Sequence, residues 1–311
     1  MVEQGVQGLA GSARLSDGHS RAPARPRLRG PGSESLALVV PGTIVVIVGL
    51  ILPLALMARY SLNRWVPGEL MQAAFTWENY ARFFSDAFYV GVLWRTLGIS
   101  LASTGVCLLL GLPAAYYLSR LRNHHLKTAI ILALVIPLLM GNAVRAAGWM
   151  VLLADRGLFN SIMMFLGVYA DPVRILYTGS AVAIGLVAVL LPFMIICLQS
   201  VFDGISEAYE EAALSLGARP LTMFRRVLLP MIMPGIFSGS ALCFVLAMNA
   251  YATPVLIGGP SFQMMAPKIY EQAIKVFNWP FAASMAFVLM AVTLALTILA
   301  SVALQRRYGK L

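Results

Sequence analysis

Six stretches of the chain stay apolar for long enough to leave no polar face: about 36–58, 90–118, 129–153, 181–200, 231–256 and 281–304. Crossing about 30 Å of hydrocarbon takes about 20 helical residues, so each stretch predicts one membrane-spanning helix. Hydrocarbon offers no partner to free backbone groups, and the expected fold is all-α and integral to the membrane, with six transmembrane helices. Around these spans, 59–89 reads as an outer loop, 90–305 as a five-helix core and 306–311 as a short cytoplasmic tail. Pro53, Pro113, Pro137, Pro192 and Pro234 fall inside spans. Neighbouring helices can satisfy the carbonyls that proline frees, so kinks are expected there.

Composition agrees: 59% of residues are hydrophobic, only 12% are charged, and mean hydropathy is +0.81. The first 35 residues hold Arg14, Arg21, Arg25, Arg27 and Arg29 among Gly, Pro and Ser. Such a composition cannot build a core, and 1–35 is expected to be a disordered basic cytoplasmic tail. The apolar run behind it is too long for a signal-peptide core and lacks a small-x-small cleavage site before Arg59, so an uncleaved anchor is expected. Of the 23 Lys and Arg, fourteen fall on the side of this tail, eight on the other side, and Arg145 lies inside the third span. That bias puts both termini in the cytoplasm. Orientation and anionic lipid thus account for the net charge of +10 without a nucleic-acid partner. Cys107, Cys197 and Cys243 sit inside spans and read as small apolar residues.

One connection, between the fourth and fifth spans, is long and patterned: it runs from Asp203 to Pro230. At 100° per residue Glu207, Glu210, Glu211 and Ser215 share one helical face, and Ala208, Tyr209, Ala212, Ala213 and Leu216 the other. Acids at i, i+3 and i+4 repel, so the helix N-terminus or a basic partner must compensate. Gly217 suits a left-handed C-cap, and Pro220 the first turn of a following helix. An ordinary solvated hairpin would share these features.

Glu211-Ala212-Ala213, three residues, Gly217, nine residues, then Val227-x-Leu229-Pro230 resembles the EAA signature of binding-protein-dependent ABC importer permeases, with Val where Ile is commonest. The resemblance implies the type I importer permease fold and makes this segment a coupling helix, with Glu207, Glu210, Glu211, Ala212, Ala213 and Gly217 set against an ATPase subunit. It further implies two ATPase subunits, a sister permease forming a heterodimer, a periplasmic or lipid-anchored solute-binding protein, and the bacterial inner membrane as location. No cofactor is expected on this chain; ATP and Mg belong to the partner ATPase. Phe75-Thr-Trp-Glu-Asn-Tyr80, Pro137 to Asn142 with Arg145, and Ala250-Tyr-Ala-Thr-Pro254 are similar to the polyamine-type branch, while relatives carrying iron, thiamine, phosphonates or opines look alike.

An Arg inside an apolar span is expensive, so Arg145, with Asn142 at i−3, is expected either to tie structure together or to line a pathway. Asn249, Tyr251 and Thr253, beside Pro254 and Gly258-Gly259, form a candidate outer gate or an ordinary helix end. Gly235 and Gly239 suit close helix contact, within the chain or with a sister permease. His124-His125 lacks a metal-site spacing. No G-x-x-x-x-G-K-[ST] loop occurs, which excludes an ATPase, and the spans hold no convergent His, Cys or carboxylate set for an enzyme. All 13 acids lie in tails, in loops or near span ends, which counts against an ion-coupled secondary transporter.

Overall fold

The computed structural model describes residues 33–68, 71–168 and 171–308. The basic tail expected at 1–35 therefore lies almost wholly outside the described residues, as do residues 309–311. The chain divides into two compact units, Met1–Pro53 and Leu54–Leu311. The described part of the first is a helix, α1 (Ser33–Ser61), that continues into the second. Its residues 40–58 carry no charge, and it is long and apolar enough to cross a membrane.

In the second unit α2 (Glu78–Ser85) precedes α3 (Ala87–Ser119), α4 (His124–Leu139), α5 (Asn142–Leu152) and α6 (Leu158–Phe165). Then come α7 (Gly179–Asp203), α8 (Ala208–Ser215), α9 (Pro220–Met223), α10 (Leu229–Met248), α11 (Met265–Tyr270) and α12 (Trp279–Tyr308). Single π-helical turns occupy Phe224–Leu228, Pro254–Gly258 and Glu271–Lys275. Short polar side chains start the long helices. Asp86 accepts from Phe88 N at 2.9 Å to begin α3, Asn123 from Leu126 N at 3.2 Å to begin α4, and Thr178 from Ala181 N at 3.3 Å to begin α7.

Helices α3, α7 and α10 interlock around Cys107, Leu186, Met194, Leu198, Phe202, Ile232 and Cys243, all buried. Glycine allows the close approach. A Cβ on Gly235 would stand 2.7 Å from Val201 Cγ2, and one on Gly239 2.9 Å from Met194 Sδ. The small-residue stripe of α10 is therefore spent on α7 within the chain. Cys107 and Cys243 act as small hydrophobes whose thiols reach Val187 O and Leu190 O on α7, each at 3.7 Å, and all three cysteines are free.

Two expectations change. The third span, expected as one helix over 129–153, is broken: α4 and α5 meet at 101° around Met140 and Gly141. Pro137 lies in the last turn of α4, where it supplies no N–H and its own carbonyl caps Met140 N at 3.2 Å. Five single helices of the described chain are long and apolar enough to span, and the count reaches six where the bent pair is taken as one span. The fifth span ends at Met248 rather than near 256, because Asn249 caps it and the chain restarts in the π turn Pro254–Gly258. The connection 59–89 is internally braced: Arg64 pairs with Gln72 in an antiparallel bridge, and buried Asn79 donates to Ser61 O at 2.8 Å and Asn63 O at 2.9 Å.

Candidate functional site

The α8 segment is short, and its ends decide its shape. Glu207 stands at the N-cap position, and its carbonyl accepts from Glu210 N at 2.9 Å and Glu211 N at 3.1 Å. Glu210 and Glu211 thus occupy the first turn, at the positive end of the helix dipole. At the other end Gly217 adopts φ 84°. Gly217 N donates to Leu214 O at 2.9 Å and Ala218 N to Ala213 O at 3.1 Å, which together make a Schellman motif. The left-handed cap read from the sequence is present. Arg219 is extended at ψ 150°, as a residue before proline should be, and Pro220 opens α9.

The acids do not share one outward face. Glu210 is buried and points into the chain: its Oε2 accepts from Tyr116 Oη at 2.7 Å, and its Oε1 from Arg120 Nε at 2.8 Å and Nη2 at 2.5 Å. Glu207, Ala208, Tyr209, Glu211, Ala212, Leu214 and Leu216 are exposed, Leu216 at 88%. The outward surface is therefore mixed, two acids beside a tyrosine and two leucines. Glu210 has left the acidic face assigned to it because its neutralising charge lies within the chain. Arg120 and Tyr116, one turn apart at the end of α3, escaped the sequence reading. The available signal was a Tyr-x-x-x-Arg pair at the close of the second span. Lys127 on α4 holds Asp203 at the end of α7 at 2.9 Å, a second tie at the same end.

The proposed pathway residues gather at the opposite ends of the helices and then part company. Asn142 and Arg145 lie in the first turn of α5, just past the break, and Arg145 Nη2 donates to Asn142 Oδ1. Arg145 Nε and Nη1 are buried without a partner. Asn249 caps α10 through Val245 O at 2.9 Å and lines a cavity of about 370 Å³ between α10, α11 and α12. Tyr251 is 41% exposed and tilts against Tyr270, ring centroids 5.0 Å apart. Thr253 is buried, and its Cγ2 would meet a Cβ on Gly185 at 2.9 Å, so it packs on α7 and faces no open space. Helix α5 lies against the π turn Pro254–Gly258 that follows Tyr251, which places the broken third span beside the end of the fifth. Tyr270 was missed because its link to Tyr251 spans nineteen positions with no local pattern to announce it.

Helical apart from its turns and loops among the described residues, and apolar enough to cross the membrane several times, the chain is the membrane permease subunit of an ABC importer. Residues 107–310 match the model of the binding-protein-dependent transport system inner membrane component, and the chain belongs to that family. It is 35% identical over 224 residues to the spermidine/putrescine transport system permease protein PotB of Escherichia coli strain K12, covering 72% of this chain and 81% of that one. The PotB of Haemophilus influenzae is 35% identical over 224 residues, 72% of this chain and 75% of its own. The fold matches a chain of a bacterial alginate ABC transporter bound to a pentasaccharide-loaded periplasmic protein, with a TM-score of 0.74, 15% identity, and coverage of 89% of this chain and 95% of that one. The protein is thus a multi-pass inner-membrane subunit that works with an ATPase and a solute-binding protein. ATP hydrolysis belongs to a separate subunit.

Proposed function

We propose that this chain forms one half of the path by which a polyamine, handed over by a binding protein, crosses the inner membrane, and that α8 is its contact with the ATPase. The second half comes from a sister permease of different sequence, and each of two ATPase subunits, carrying ATP and Mg, seats one coupling helix. Both termini then lie in the cytoplasm on the side of α8, as the distribution of Lys and Arg favours. The observation that carries this reading is the α8 surface: EAA spacing with Glu207, Glu211, Tyr209 and Leu216 turned outward on a helix closed by a Schellman cap. Closure of the ATPase pair on ATP pushes this surface, and the spans answer by switching which side the cavity faces. Each state must hold its partners differently, since equal binding would shift nothing.

The cargo assignment is supported by the likeness to the two PotB proteins. The chain's chemistry is compatible with it at one point. Tyr251 and Tyr270 present part-exposed ring faces that attract alkylammonium groups, whereas Arg145 would repel them. Asn142, Asn249 and Tyr251 border the gate in this reading, and Thr253 supports it from behind.

The test is reconstitution of the permease pair, ATPase and binding protein in liposomes, with labelled spermidine and putrescine outside. ATP-dependent uptake of at least one is expected, and Glu211→Lys should reduce both ATPase co-purification and uptake. Uptake of neither polyamine by a complex whose ATPase responds to another loaded binding protein would overturn the cargo. Wild-type assembly and transport by Glu211→Lys and Gly217→Val together would overturn the coupling role.

A further inference from the structure

The α8 segment is bound to a helix that is not its neighbour in the chain. Arg120 and Tyr116 close α3, some ninety residues before Glu210, and the three side chains leave no carboxylate oxygen of Glu210 without a donor. The Arg120 and Glu210 side chains are only 17% and 11% exposed. Replacing both partners of a pair so shielded with apolar side chains often leaves stability intact, so what the pair itself supplies is direction and distance between two elements. The Tyr116 ring also lies 5.6 Å from Phe202 on α7 and 6.2 Å, edge-on, from Phe224 in the π turn that leads into α10. One cluster therefore joins α8 to all three helices of the core.

At its other end α3 makes a second set of polar ties. Thr96 Oγ1, itself donating to Val92 O, accepts at 2.9 Å from Met265 N, the first residue of α11. Gln272 Nε2 donates to Tyr89 Oη at 3.5 Å, and the Tyr89 ring stands edge-on to Phe281 of α12 at 4.8 Å. Helix α11 leads directly to Tyr270, the partner of Tyr251. Between Thr96 and Tyr116 the helix rises about 30 Å, the thickness of the hydrocarbon, without a break.

We propose that α3 is the strut of this permease: it takes up displacement of α8 through Glu210, Arg120 and Tyr116 and delivers it to α11 and the Tyr251–Tyr270 pair through Thr96. Arg120, Tyr116 and Thr96 are positioning residues, and the proposal rests on the reading of α8 as the ATPase contact. A helix linked only through the flanking chain could pivot about Asp203 and Arg219; the clamp removes that freedom and ties motion at one membrane face to the other. Lying between two sites does not demonstrate coupling, so the measurement must separate transmission from assembly.

The complete transporter, with permease pair, ATPase and loaded binding protein, is reconstituted in liposomes, and three quantities are read: ATPase retained on purification, stimulated ATP hydrolysis, and polyamine moved per ATP. Arg120→Met and Glu210→Gln are expected to retain the ATPase and still hydrolyse ATP while polyamine moved per ATP falls about five-fold or more. The double variant should lose no more than either single one, because both act through one contact. Thr96→Val, remote from the docking surface, should lower the same ratio with assembly unchanged, and remains available if the Arg120 variant fails to fold. An unchanged ratio in Thr96→Val, additive losses in the double variant, or a deficit explained wholly by lost ATPase would overturn the strut. Loss of docking in Glu211→Lys alongside wild-type ratios in these variants would sink the strut and leave the coupling reading standing.

Discussion

Gly217→Val isolates the cap of α8 from everything around it. A Cβ at Gly217 would meet no atom within 4 Å, so the substitution creates no clash inside the chain. The cost is conformational: φ 84° is left-handed, which an L side chain occupies at about 1–2 kcal/mol, and a β-branched one at the upper end. At about 2 kcal/mol the capped conformer becomes about 30-fold less favoured. The bonds at stake are Gly217 N to Leu214 O and Ala218 N to Ala213 O, and their loss redirects Arg219 and Pro220. Asn is as large as Val yet tolerates the left-handed region, so Gly217→Asn controls for bulk pressed against a docked subunit. Binding-protein-stimulated ATPase in liposomes should therefore rank Gly above Asn, Asn above Ala, and Ala above Val. Equal losses in Asn and Val would mean that size, and not backbone hand, is being felt, and wild-type activity in Val would refute the cap's importance outright.

Three further outcomes follow from packing. Gly235→Val places a branched side chain where Cβ alone would come within 2.7 Å of Val201, and should lower the thermal midpoint of the purified permease by the equivalent of about 1–3 kcal/mol. Asn160→Ala removes the donor to Val173 O at 2.9 Å and the acceptor from Val173 N at 3.2 Å at a buried site, and should cost about 2–3 kcal/mol by the same assay. Arg145→Met takes away two buried nitrogens that have no partner, so its midpoint should hold or rise; a drop like that of Asn160→Ala would show that Arg145 is a structural tie.

The spans were legible because hydrocarbon imposes length and apolarity on every residue of a run, and neither depends on the partner a helix finds. Gly217 was legible too, since a glycine before Ala218, Arg219 and Pro220 has few other local uses. Glu210 was misread for the opposite reason: periodicity sets a face but not what covers it, and its cover arrives from α3. The burial of Thr253 was hidden likewise, its neighbour being Gly185 on α7. The break at Met140 and Gly141 was half visible, for Pro137 marked a kink, but kink and right-angle turn look the same in sequence.

What the sequence hid most completely is where regular structure stops. At the end away from α8, Tyr177 and Phe277 hold φ 65° and 57°, two π turns lie on either side of α11, and Gly259, at φ 54°, accepts no Cβ because the Tyr177 ring would stand 2.5 Å from it. Such backbone survives near hydrocarbon only if protein or water satisfies it. Here protein does much of that: Tyr177 N donates to Ile257 O at 2.9 Å, Asn278 N to Gln272 O at 2.9 Å, and Gly259 N to Pro254 O at 3.1 Å. Irregular yet bonded, this end keeps backbone groups paired without regular helix, and single π turns of this kind are frequent at functional sites. Helices α3 and α7, by contrast, run unbroken and share a buried interface that glycine brings to contact distance. In the proposed mechanism the stiff elements carry a displacement, and the irregular end is where it becomes opening.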